Sequence, residues 1–413
     1  MFRSQPITNK TGEVLDLGSL RVTCRAMQGW RRAMEDSHVI AEFEESGIKM
    51  IGLFDGHGGE EVAIFAAEHL SDTCVKDLKC LSDQESAGII VNGFLEVDKR
   101  LRTQFGIAGD MYEVRKPALE EFREGSKEWR AAQNLLDLGL VHARHEEELD
   151  KIRRVAAEAG TLLDQSEVEM PKRVEVASDF GPKKTILQCT FNPKKKRGSA
   201  HNMGMMMMKS ESKCNGNEIS TLQATAAIIP QNAGAAATVV FVQDHHVVVA
   251  TAGDCQAVMA RFDEEGNYTT IDLQHRIHQL SDPEEVARVE AAGMSVVDSK
   301  GTLRINGELA VARGLGDLRF KNPVLPPDEH AVCAIPELFR ADFESPNDFI
   351  IAACDGVFEV LSPEAVVGIV HTAMIRNASP TDALDELLDA CLCTDRSKPE
   401  GKDNMTALII SLS

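Results

Sequence analysis

The element order of this sequence predicts an α+β domain, on three observations. Apolar runs too short and too Gly-bounded for helices recur in two groups, Leu20 to Phe54 and Ala236 to the C-terminus. Two amphipathic helical patterns follow the first group, and two helices precede the closing strand. Between the groups lies a long stretch of different character.

Taken in order, residues 1 to 20 are polar and read as an extension over the surface. Leu20 to Ala26, Val39 to Phe43 and Met50 to Phe54 read as strands, with GWRRAMED (Gly29 to Asp36) between the first two. Glu60 to Leu70 places Val62, Phe65, Ala66 and Leu70 at helical spacing, and Gln84 to Gln104 does the same with Ile89, Ile90, Phe94, Leu95, Val97 and Leu101. Further on, Ala236 to Gln243 and His245 to Ala252 look like a hairpin pair that ends in Gly253-Asp254. Asp282 to Gly293 carries helix boundary signals: a capping acid, Pro283 at the first helical position and a closing glycine. Phe349 to Cys354, FIIAAC, is a buried strand ending in Asp355-Gly356. Pro363 to Val370 and Pro380 to Leu392 are helices, and Asp403-Asn404 opens the strand MTALIISL.

The break runs from about Gly106 to Gln231 and is neutral, with 19 basic and 19 acidic residues. The remainder has 25 basic against 46 acidic residues and carries the whole net charge of -21. Pro117 to Gly160, with Leu119/Phe122 and Trp129/Leu136 at helical intervals, suggests one or two exposed helices. Met170 to Gln223 lacks apolar periodicity and reads as a mobile loop outside the domain. Within it, Lys194 to Arg197 also resembles a short nuclear-import signal.

The acidic balance argues against nucleic acid, whose affinity rests on Lys and Arg neutralising phosphates. No apolar run approaches the roughly 20 residues of a membrane helix, and MFRSQPITNK lacks a signal core and a myristoylation glycine. Ten scattered cysteines read as free, buried thiols of a cytoplasmic or nuclear protein.

The chemistry gathers around KMIGLFDGHGG, Lys49 to Gly59, where an apolar run ends in Asp55, His57 and three glycines. Alone, this is as readily an ordinary turn. Asp254 and Asp355, however, also follow strand-type runs and adjoin Gly or precede it; Asp403 opens a strand, and Glu35 and Asp36 close a polar turn. Crowded carboxylates would repel unless cations neutralise them, and oxygen donors favour a hard divalent ion, Mg2+ or Mn2+. Cys and His are too sparse nearby for structural zinc. Independent turn and cap acids are the alternative.

GWRRAMED, FDGHGG, GELAVARGLGD, CDGVFEVLS and KDNMTALII, in this order, resemble the signature segments of the metal-dependent protein phosphatases, the type 2C or PPM family. The likeness covers about Leu20 to Gln104 and Asn232 to Ser413. It implies an α-β-β-α sandwich, two antiparallel sheets flanked by helices, in one domain over residues 20–413 that is interrupted by the insertion at about 106–231 and preceded by an extension over 1–19. It also implies a monomer acting on phosphorylated protein substrates, with an insertion able to bind a protein partner.

By the same resemblance Asp55 bridges two metal ions, Asp355 and Asp403 complete one site, and Glu35 and the Gly56 carbonyl hold the other. Asp254 joins Asp355 at a weaker third site, Arg31 clamps the substrate phosphate and Asp36 orients a metal-bound water. The expected reaction is hydrolysis of phosphoserine or phosphothreonine by a metal-activated water, with no phosphoenzyme. His57 is the candidate general acid; the competing role is a hydrogen bond to a carboxylate. Departures from the family pattern, GAAATV near Gly234, GDC at Asp254 and Gln256 in place of an arginine, fall beside the third metal position. A catalytically dead scaffold and a hydrolase of small phosphate esters are the rival readings. All four principal acids are present, which favours the enzyme.

Overall fold

Both apolar groups fold as strands buried on two faces, which is why their sequences run apolar without alternating. The computed structural model describes residues 3–74, 77–104, 186–187, 233–394 and 400–412. The strands are β1 (Ile7–Leu17), β2 (Leu20–Gly29), β3 (Ser37–Phe43), β4 (Ile48–His57), β5 (Ile186–Leu187), β6 (Gly234–Gln243), β7 (His246–Ala252), β8 (Gln256–Phe262) and β9 (Tyr268–Asp272). They continue with β10 (Val296–Ser299), β11 (Thr302–Ile305), β12 (Leu315–Gly316), β13 (Glu337–Asp342), β14 (Phe349–Ala353) and β15 (Met405–Leu412). The α-helices are α1 (Glu61–Cys74), α2 (Glu85–Gln104), α3 (Pro283–Ala291), α4 (Asp355–Phe358), α5 (Pro363–Ile375) and α6 (Pro380–Cys391).

One sheet has the order β1-β2-β15-β14-β8-β9 and the other β13-β7-β6-β4-β3-β5, with β12 also paired to β6; every pairing is antiparallel. Strand β14 explains the layering. Ile350 and Ala352 point into the core between the sheets with Ile51, Val240 and Leu408, while Phe349, Ile351 and Ala353 pack against Val366, Val370, Leu384 and Leu388 of α5 and α6. Helix α1 packs on β3, β4 and β6. The expected α-β-β-α sandwich is therefore present. Full burial of each large aliphatic side chain stabilises it by roughly 1.5–3 kcal/mol.

Residues 7–17 differ from the sequence expectation: they are no loose extension but an edge strand paired with β2 from Ile7↔Gly29 to Leu17↔Leu20. ITNKTGEVLDL hides this because one of its faces is only half-buried and the other is exposed. The predicted cap at Asp282 is present, its side chain accepting from Glu284 N, with Pro283 next. Helices α5 and α6 start at Ser362 and Ser379, whose hydroxyls accept backbone N–H groups three residues on. The predicted helices of residues 117–160, the basic run at Lys194 to Arg197 and the methionine run lie outside the described residues. All eight cysteines among the described residues are free, seven buried and Cys80 half-exposed.

Candidate active site

Strand register gathers the predicted acids at one end of the sandwich. In the second sheet Ser37 pairs with Phe54 and Asp55 with Ala236, so the start of β3, the end of β4 and the start of β6 lie side by side. In the first sheet Ala353 pairs with Ala407, which brings Asp355 beside Asp403. Ala252 pairs with Ala237, so Asp254 follows β7 at the same end.

Two close approaches hold this end together. A Cβ at Gly56 would lie 2.2 Å from the Glu35 carbonyl oxygen, and one at Gly29 (φ 62°) would lie 2.4 Å from that of Asp403. Only glycine fits either place. The Gly56 constraint thus comes from the backbone of the polar turn. Asn404 ties that turn down: its side-chain N–H groups donate to Gln28 O (2.9 Å) and Ala33 O (3.0 Å), and its Oδ1 accepts from Glu35 N at 2.9 Å. The Trp30 indole donates to Cys393 O at 3.0 Å.

Asp36 is buried and accepts from the Thr406 hydroxyl at 2.6 Å, while its Oδ1 has no hydrogen-bond partner. Its carboxyl, that of Asp55 and the Cys354 thiol lie within 4.8 Å of one another. Burial above all, with the Asp403 charge, pushes the Asp36 pKa up to about 7 against the Thr406 hydrogen bond. Burial and the charges of Asp355, Asp36, Asp403 and Asp254 drive Asp55 well above the carboxylate range. Asp355 is raised in the same way by burial, Asp254 and Asp403, and Asp254 and Glu35 are raised chiefly by burial. The Cys354 thiol, pushed well up by burial, contacts Asn404 O (3.5 Å) and Thr406 N (3.1 Å) and stays a neutral packing group.

The cations present are few. Arg31 pairs with Asp403; burial alone would lower its pKa, but Asp403, Asp355 and Asp55 outweigh that and raise it. His57 Nε2 lies 2.8 Å from Asp317 Oδ2. Its pKa too is raised, because Asp317, Asp254 and Glu35 outweigh burial.

Every predicted site residue is therefore at this end of the fold. Sequence reasoning passed over three others. Asn404 and Asp317 stand inside quoted motifs, KDNMTALII and GELAVARGLGD, without an assigned role. Glu359, one turn past Asp355, donates its N–H to Asp355 O at 2.7 Å, and desolvation and the Asp403 and Asp254 charges raise its carboxyl. Its spacing from Asp355 on CDGVFEVLS was the available signal.

The family model described as protein phosphatase 2C matches residues 20–114 and 182–398. The chain belongs to the protein phosphatase 2C family. Its relatives include a probable protein phosphatase 2C 11 of Oryza sativa subsp. japonica, 26% identical over 99% of this chain and 90% of that protein. Protein phosphatase 2C 1 of Paramecium tetraurelia is 25% identical over 100% and 98%. Among solved structures, a phosphatase from Toxoplasma gondii superimposes with a TM-score of 0.54 at 19% identity, covering 98% of this chain and 96% of that one. A serine-threonine phosphatase 2C from the same organism gives 0.50 at 16% identity, covering 100% and 99%. At these identities the structural likeness establishes the sandwich fold. Membership of a metal-dependent phosphatase family supports a protein phosphatase. Among the described residues no helix is long and apolar enough to cross a membrane.

Proposed function

We propose that this chain is a protein serine/threonine phosphatase that uses two divalent cations, Mg2+ or Mn2+, held at the acidic end of the sandwich. One observation carries the reading: carboxyls from both sheets converge there with pKa values pushed up, and Asp36 Oδ1 is buried without a partner. Such a site is short of positive charge, and its oxygen donors fit a hard cation.

Asp55, Asp355 and Asp403 on one side and Glu35 with the Gly56 carbonyl on the other would hold the pair, Asp55 serving both. Asp254, with Glu359 beside it, would serve a weaker third position. Bound there, the cations would supply a water acidic enough to ionise near neutral pH and positive charge for the phosphoryl oxygens.

The chain's own groups do the rest. Arg31, half-exposed at the rim on Asp403, can turn its fork to a substrate phosphate and place the phosphorus. Asp36, held by Thr406, turns its free oxygen into the cluster and orients the attacking water. His57, whose pKa Asp317, Asp254 and Glu35 raise against burial, can give a proton to the departing serine or threonine oxygen.

The test is hydrolysis of a phosphothreonine peptide by wild type and Asp355→Asn, each with EDTA, Mg2+ or Mn2+. Activity should require metal and fall by about a thousandfold in the variant. A folded wild-type protein that is inactive with every metal would overturn the reading.

A further inference from the structure

We infer that Asp317 is a positioning residue: it holds His57 with its hydrogen on Nε2 and so leaves Nδ1 as the nitrogen that hands the proton to the leaving group. The inference rests on the general-acid reading of His57 proposed above and names the atom and the support that reading lacks.

The geometry at Asp317 is built for one partner. The residue is fully buried, and His57 Nε2 stands 2.8 Å from its Oδ2. Its Oδ1 has no hydrogen-bond partner, and its side chain does not cap the 3-10 turn Leu318–Phe320 that follows. A carboxylate can only accept, so the Nε2 hydrogen points at Asp317. Among the described residues Nδ1 has no hydrogen bond.

The backbone around Asp317 is committed to this placement. Asp317 takes the left-handed conformation, φ 48° and ψ 39°, which an aspartate adopts more easily than a bulky residue. Its N–H donates to Ala233 O at 2.8 Å and its carbonyl accepts from Phe320 N at 2.8 Å. The preceding residue, Gly316, donates to Asp98 Oδ1 of α2 at 2.9 Å, and the buried Lys321 ammonium donates to the same oxygen at 2.6 Å. Gly234 completes the fit, because a Cβ there would lie 2.0 Å from Asp317 Oδ2 and 2.6 Å from His57 Nε2. A side chain at 234 would drive the pair apart. The departure GAAATV, read from sequence as bearing on a third metal, therefore begins with a glycine that serves the acid pair.

In the reaction, the oxygen of a water that has released one proton to solvent bonds to phosphorus, and the P–O bond to serine or threonine breaks with its electron pair on oxygen. That oxygen takes the Nδ1 proton, and the ring is left neutral with its hydrogen on Nε2, the tautomer Asp317 favours.

The test joins kinetics to a tautomer measurement. His57→Ala, Asp317→Ala, Asp317→Asn and the His57/Asp317 double alanine variant are assayed on a phosphothreonine peptide, whose alkoxide needs a proton, and on nitrophenyl phosphate, whose leaving group does not. Asp317→Ala should lower kcat on the peptide about 10- to 100-fold, leave KM little changed, spare nitrophenyl phosphate and add nothing to His57→Ala. Nitrogen-15 spectra of metal-free protein at alkaline pH, with His57 assigned from its loss in His57→Ala, should show hydrogen on Nε2 in wild type. The isosteric Asp317→Asn, whose amide can donate as well as accept, should shift it toward Nδ1. A wild-type ring with hydrogen on Nδ1, or additive losses in the double variant, overturns the inference. Selective loss in His57→Ala with equal losses in Asp317→Ala overturns it alone. Equal losses in His57→Ala overturn the general-acid reading with it.

Discussion

Two regions of this fold bury charge, and they settle it in opposite ways. Beneath α3, Glu285 is completely buried; burial would raise its carboxyl, but Arg313 at 2.6 Å and Arg288 bring it below the usual range. Arg288 also donates to His330 O (2.9 Å) and Ala331 O (3.3 Å), which ties α3 to the segment before β13. At the acidic end, burial and neighbouring acids raise the pKa values of Asp36, Asp55, Asp254 and Asp355, and Arg31 is engaged with Asp403. In the first cluster the chain's own arginines balance the buried charge, which serves stability. In the second the acids outnumber the cations beside them, the pattern expected of the metal site proposed above.

The sharpest way to break the comparison is to neutralise one acid in each region. Asp355→Asn should cost about a thousandfold in turnover and yet make the EDTA-treated protein more resistant to urea, because one like charge is gone. A loss of stability there would mean the acids are already compensated. Glu285→Gln should do the reverse: it leaves two arginines without their shared carboxylate and should cost about 3–5 kcal/mol of stability, read from urea midpoints. The remaining folded protein should keep its metal requirement. Equal and small stability changes in both variants would mean that the two regions accommodate buried charge in the same way.

The two regions were also unequally legible in the sequence. The acidic end could be read because each acid terminates or opens an apolar run, and runs such as FIIAAC advertise strands covered on both sides. The salt-bridge cluster could not, since Glu285 and Arg313 lie on separate elements and look like surface charges in one dimension. Strands β8, β9 and β13 were missed, and β9 and β13 are edge strands whose half-buried faces dilute the period-two signal. Asp317 was missed for a related reason. Its partner His57 is 260 residues away, and neither its left-handed backbone nor the need for Gly234 is visible before the strands are in register.

The smallest expected effect lies where the two regions meet. His278 is fully buried, with Nδ1 at 3.2 Å from the oxygen of Gly253, the residue before Asp254, and Nε2 at 3.8 Å from Glu337. Burial first, then the Arg313 and Arg276 charges, push its pKa down to about 4, against the opposite pull of Glu285. An unfolded histidine takes up its proton near pH 6.5, so between about 6.5 and 4 the unfolded chain binds a proton that the native protein refuses. Stability from this group is therefore complete above pH 6.5, falls as the pH drops through that window and levels off below it. His278→Gln should flatten the decline by roughly 1–3 kcal/mol when urea midpoints at pH 7, 6 and 5 are compared with wild type. Parallel slopes would place the acid sensitivity elsewhere. A flattened slope would instead show that the balanced cluster under α3 extends, through one neutral imidazole, to the backbone that carries Asp254.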